Sequence, residues 1–169
     1  MNRKEPNRLL FYAAAVLLIL TWLTLFLENE AALGWMQGIG WAVGALSLVL
    51  IGLPMIILRR RGQPEEGQDW THTSTLVDTG IYALVRHPLY LGWALLYVAL
   101  ALLSQHWLTL VLALPGVVCL VLISRMEERD LVAKFGEVYE HYQDTVPAMN
   151  LPLGILRLLR RKTSSEENF

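Results

Sequence analysis

An all-α, multi-pass membrane bundle is the fold this sequence predicts, and three observations predict it. Hydrophobic residues make up 54% of the 169 and charged residues only 17%, against about 25% charged in soluble domains. The apolar residues gather into four runs that read as helices in lipid rather than as strands. All 14 Lys and Arg residues lie outside those runs and on alternate connections. A single membrane domain over 1–169 is expected, with no internal repeat.

The first run, Leu9–Leu27, is just long enough at about 1.5 Å per residue to cross a core of about 30 Å. It is too long for the apolar core of a signal peptide, and no small-residue cleavage site follows, so it reads as a retained span. The second, Trp35–Leu58, carries Gly38, Gly40, Gly44 and Gly52; small residues let helices approach closely in lipid. Pro54 is expected to bend its end. The third, Pro88–Leu103, is short for a full crossing. The fourth, Trp107–Ser124, holds Pro115-Gly116 at its middle, an expected kink. Only Ser104-Gln105-His106 separates the last two runs, so they form an antiparallel hairpin.

Orientation follows from the basic residues. Arg3, Lys4 and Arg8 precede the first run; Arg59, Arg60, Arg61 and Arg86 lie between the second and third; the rest follow the fourth. The loops 28–34 and 104–106 have none. Both termini and both feet of the hairpin are therefore expected in the cytoplasm. Gly62–Gly80 reads as a polar loop around Gln63-Pro64-Glu65-Glu66-Gly67, and Met126–Gln143 as a cytoplasmic helix. Leu151–Lys162 interleaves Ile155, Leu156, Leu158 and Leu159 with Arg157, Arg160 and Arg161, as an interfacial amphipathic helix attracted to anionic lipid does. Residues 163–169 read as a disordered tail.

Several function classes drop out. One cysteine, Cys119, sits in an apolar run and forms no internal disulfide. Neither a zinc or haem ligand set nor a Gly-rich phosphate loop is present, and neither nucleic acid nor metal is an expected partner. The lipid bilayer is one, and an oligomer is compatible with the glycines of the second run.

The chemistry-bearing residues lie at the feet of the hairpin. Pro88 suits the first turn of a helix and pushes His87 out of the helical region. Arg86 and the free N–H groups of that first turn make a candidate anion site, with Tyr82 and Tyr90 beside it. The plainer reading of Arg86 and the tyrosines is anchoring at the membrane boundary. At the other foot, Glu128, Val132, Phe135, Tyr139 and Tyr142 fall within about 40° of one line on a helix, which centres Glu128 on an apolar face and puts Glu127 at its edge. A carboxylate facing inward near a membrane needs a partner or a task; an ion pair with Arg86 is the structural alternative. His72, His106 and His141 read as surface or loop residues.

These residues carry a resemblance. The run Gly80-x-Tyr82-x-x-x-Arg86-His87-Pro88-x-Tyr90-Leu91-Gly92 resembles the first signature of the isoprenylcysteine carboxyl methyltransferase family, which is related to the membrane phospholipid methyltransferases. Glu127-Glu128-x-x-Leu131-x-x-x-Phe135-Gly136-x-x-Tyr139-x-x-Tyr142-x-x-x-Val146-Pro147 is similar to its second. The resemblance covers roughly 76–147. It implies S-adenosylmethionine as methyl donor and S-adenosylhomocysteine as product. It also implies donor-binding roles for Tyr82, Arg86, His87, Pro88, Tyr90, Leu91, Gly92, Glu128, Phe135, Gly136, Tyr139 and Tyr142, with Arg86, Glu127 and Glu128 as the catalytic candidates. The acceptor it implies is lipophilic or small: a prenylcysteine-like carboxylate, a lipid amine or a thiol. Two other classes compete: a membrane reductase of the sterol-reductase type using NADPH, which would need further spans and a larger basic cofactor site, and a non-catalytic scaffold or sensor.

Overall fold

A computed structural model describes residues 4–27, 33–62 and 74–166. All regular structure among them is helical: α1 (Lys4–Leu23) with a 3-10 turn Thr24–Phe26, α2 (Gly34–Arg61), a 3-10 turn Gly80–Ala83, α3 (Pro88–Ser104), α4 (Trp107–Phe135), α5 (Glu137–Thr145) and α6 (Leu151–Glu166). Three helical segments, Arg8–Phe26, Gly34–Arg61 and Trp107–Phe135, are long and apolar enough to cross a membrane. The third expected span is the shorter apolar helix α3. The chain forms two compact units, 1–51 with 89–129 and 52–88 with 130–169.

The first unit inverts the soluble pattern. Large apolar side chains of its helices, such as Phe11, Trp22, Trp41, Leu48 and Leu114, stand exposed, the arrangement a lipid-facing surface requires. Its interior uses small residues and hydroxyls to bring backbones together. Tyr97, 1% exposed, is the centre: it packs with Ala14, Ala113 and Leu120, and its hydroxyl donates to the Ala14 carbonyl at 2.6 Å. Gly116 makes this possible, because a Cβ there would stand 2.3 Å from the Tyr97 ring. Gly92 also lies close to α2; a Cβ would stand 2.8 Å from the Ile51 side chain and 3.0 Å from its nitrogen, and the Ser47 hydroxyl donates to the Gly92 carbonyl at 2.9 Å. Thr24, Thr109 and Ser104 join hydroxyls at 2.8 and 2.6 Å. Gln105, left-handed at φ 49°, turns the chain from α3 to α4, and its amide pairs both backbone groups of Leu33.

In the second unit, the Gly62 carbonyl accepts from Ser74 and Thr75 N–H, and the Arg61 guanidinium donates to the Thr79 hydroxyl at 2.7 Å. Leu76, Leu131, Val132 and Phe135 pack around buried Tyr139, Tyr142 and Val146. Asn150 caps α6 by accepting from Leu153 N–H at 3.0 Å.

Three expected boundaries move. α4 does not stop at Ser124 but continues to Phe135, because Arg125-Met126-Glu127-Glu128-Arg129 changes polarity without introducing a helix breaker. The single helix expected over 126–143 instead breaks at Gly136, whose φ 58°, ψ −139° is open essentially to glycine alone. The expected tail is helical as far as Glu166, since nothing in Thr163-Ser164-Ser165 ends α6; 167–169 lie outside the described residues. So do 63–73, with His72, Trp70 and most of the expected polar loop. Pro54 and Pro115 both lie inside continuous helices.

Filling the Gly116 contact is expected to cost more than removing the bond it serves. Gly116→Ala forces Tyr97 to move and should destabilise by about 1–3 kcal/mol, whereas Tyr97→Phe should cost about 0.5–1.5 kcal/mol. Thermal midpoints of the two variants in detergent check the order.

Candidate functional site

Local chemistry explains where Arg86 goes. Pro147 ends α5 by denying it a further N–H, which leaves carbonyls at the negative end of the helix dipole without helical partners. The Arg86 guanidinium meets that need. Its Nη1 donates to the Gln143 carbonyl at 2.6 Å and, at shorter range, to that of Val146. The backbone follows the side chain: Arg86 N–H donates to the Pro147 carbonyl at 3.0 Å and His87 N–H to that of Ala148 at 2.9 Å. His87 is buried by this pairing. The expected anion-binding residue is thus also the C-terminal clamp of α5. The stop signal Val146-Pro147 was visible in the sequence; that Arg86 would answer it was not.

The tyrosines close the same unit. Tyr82, Tyr139 and Tyr142 are 8, 2 and 7% exposed, and Tyr142 donates its hydroxyl to the Tyr82 carbonyl at 2.6 Å. Burial above all, with the neighbouring Tyr139 and Tyr82 adding to it, pushes the Tyr142 phenol far above its usual range, so it remains a neutral donor throughout the physiological range. Phe135 is half-buried against this cluster, while Gly136 is exposed. Gly154, which drew no attention in the sequence, locks α6 onto the turn after Tyr82: a Cβ there would stand 2.0 Å from the Leu84 carbonyl oxygen.

The first unit holds the remaining candidates. Tyr90 on α3 hydrogen-bonds the Glu127 carboxylate on α4. The second carboxylate oxygen, Oε2, is buried and has no hydrogen-bond partner. The sequence pattern centres Glu128 on the apolar face and puts Glu127 at its edge; Glu127 is the one that Tyr90 meets. Neighbours on one helix point about 100° apart, so only one of the two shares the direction of Tyr90. Glu128 is half-buried and has polar company of its own. Leu91 is half-buried, and Gly92 is fully committed to the contact with α2. Pro88, the last residue of the second unit's 52–88 segment, opens α3 as expected.

An unsatisfied buried carboxylate oxygen is costly, about 1–3 kcal/mol and more when charged. Among the described residues, no group of three His, Cys, Asp or Glu side chains has metal-binding geometry.

Comparison with known proteins places the chain in a family. The phospholipid methyltransferase family matches residues 42–138, and the chain belongs to that family. Among curated proteins, it is 31% identical over 135 residues to methanethiol S-methyltransferase 2 of Bradyrhizobium diazoefficiens, covering 76% of this chain and 47% of that one. It is 31% identical over 112 residues to the methanethiol S-methyltransferase of Crocosphaera subtropica, covering 66% and 43%. It is 36% identical over 87 residues to that of Pseudomonas deceptionensis, covering 52% and 30%. The chain spans about half the length, or less, of these relatives. No solved structure matches it.

Removing the clamp should loosen α5 before anything else. Arg86→Ala is expected to cost about 2–4 kcal/mol, from two charge-assisted bonds at about 1.5–3 kcal/mol each less water's replacement of them. Hydrogen exchange should rise at 142–148, and Arg86→Lys should restore part of the protection. Gly136→Ala should cost about 1–3 kcal/mol from backbone strain alone, read as a lower thermal midpoint.

Proposed function

We propose that this chain is a membrane methyltransferase that moves the methyl group of S-adenosylmethionine to a small thiol at the cytoplasmic face of the membrane. The observation that carries the reading is the buried Glu127 Oε2 with no partner, beside a carboxylate already fixed by Tyr90. A carboxylate held rigid with one oxygen left open fits a cationic group, and the donor offers two, an ammonium and a sulfonium. Family membership supports methyl transfer, and the names of the relatives support a thiol acceptor. The placement of all basic residues on alternate connections supports the cytoplasmic face.

The donor, when bound, would supply an electrophilic methyl carbon; a thiolate would attack it in line, the new S–CH3 bond forming as the methyl–sulfonium bond breaks and S-adenosylhomocysteine leaves as a neutral thioether. Little acid–base work falls to the protein once the thiol has lost its proton, and orientation supplies most of the rate. Glu127 holds positive charge in place. Tyr90 keeps the Glu127 rotamer by donating to the other carboxylate oxygen. Within the second unit, Arg86 and His87 are held by Pro147 and Ala148. The apolar surroundings strengthen each of these electrostatic contacts.

The test is methyl transfer by purified protein in lipid nanodiscs supplied with labelled donor. Labelled dimethyl sulfide from methanethiol supports the thiol reading; labelled lipid from phosphatidylethanolamine replaces it with a lipid amine. Thermal protection by NADPH but not by S-adenosylhomocysteine would replace it with the reductase. Glu127→Gln is expected to weaken donor affinity about 10- to 100-fold, the value of a charge-assisted bond, and Tyr90→Phe by less. Isothermal titration with S-adenosylhomocysteine measures both. Equal affinity in Glu127→Gln and wild type removes Glu127 from the ammonium contact.

A further inference from the structure

α6 has two sides with opposite fates. Gly154 faces the turn 80–84, with no room for even a Cβ, and Leu158, four residues on and above it, is half-buried. The other side carries Ile155, Leu156 and Leu159, adjacent at three- and four-residue spacing. These are 43, 54 and 58% exposed. Arg160 is exposed along the same side, and the sequence continues with Arg161 and Lys162. An uncovered row of leucine and isoleucine beside cations is unstable in water and matched in charge to an anionic surface.

Length and charge exclude a crossing. Sixteen residues span about 24 Å, and arginines within the stretch make a central position in the bilayer expensive. The same chain carries three helical segments able to span a membrane, so a bilayer surface accompanies it permanently. We propose that α6 lies in the cytoplasmic interface of the bilayer, with Ile155, Leu156 and Leu159 in the boundary between headgroups and acyl chains and Arg160 on the headgroup of an anionic phospholipid. Because Gly154 fixes the inner side of α6 against Leu84, the seated helix cannot roll; the face turned to lipid is set by that backbone contact.

The full chain, with Cys119→Ser, is labelled with an environment-sensitive fluorophore at Leu156→Cys or Leu159→Cys. It is reconstituted into vesicles of phosphatidylcholine alone or of equal parts phosphatidylcholine and phosphatidylglycerol. Both positions are exposed; Ile155→Cys replaces either label should the thermal midpoint fall. The expected result is blue-shifted emission quenched by lipids brominated high on the acyl chain, stronger in the anionic vesicles. Arg160→Gln should lower the ratio of docked to undocked helix about fivefold in anionic vesicles and leave it unchanged in neutral ones. Water-like emission at both positions overturns the proposal. So does shielding without quenching by brominated lipid, which means that a second copy or another protein segment covers the face. Quenching that ignores both phosphatidylglycerol and Arg160→Gln overturns the headgroup contact.

Discussion

The pairing of Arg86-His87 with the end of α5 is the constraint on which the second unit depends. Two backbone bonds and two guanidinium bonds join residues some sixty positions apart. α5 is short and ends at a proline, so it has little stability of its own. The clamp supplies what the helix lacks: donors for its last carbonyls and positive charge at its negative end. Tyr142 can then reach the Tyr82 carbonyl, Val146 can enter the core beside Tyr139, and Asn150 can start α6. One arginine therefore serves the architecture of both signature motifs, and its importance to the fold and to a donor site cannot be separated by counting motif matches.

The first unit obeys a different constraint. Its helices have nothing to gain from hiding apolar surface from lipid, so association rests on close fit and on hydroxyl bonds. Tyr97 against Gly116, Gly92 against Leu50–Ile51, and the Thr24–Thr109–Ser104 chain are the places where that fit is made.

Much of this was legible in the sequence. Run lengths located the starts of α2, α3 and α4 to within a residue, Pro88 marked the start of α3, and the interleaved leucines and arginines marked α6. Where the structure departs from the sequence pattern, polarity and backbone change at different residues. At Ser124–Arg125 the sequence becomes charged while the helix simply continues. At Gly136 the side-chain pattern continues, so Val132, Phe135, Tyr139 and Tyr142 still meet, while the backbone breaks. Gly92 stands inside a signature, and its lack of a side chain is also used by α2.

By itself, the sequence determined the class of fold and the family. Both follow from local properties: hydropathy over a helix length, cations on alternate connections, and two short motifs in order. Only the tertiary structure decided which of two adjacent carboxylates is held by Tyr90 with an oxygen left open, that Arg86 spends its Nη1 on α5, and which face of α6 remains uncovered. Each of those is a choice between directions around a helix axis. Neighbouring residues differ there by about 100°, and only what packs on the other side says which direction is in.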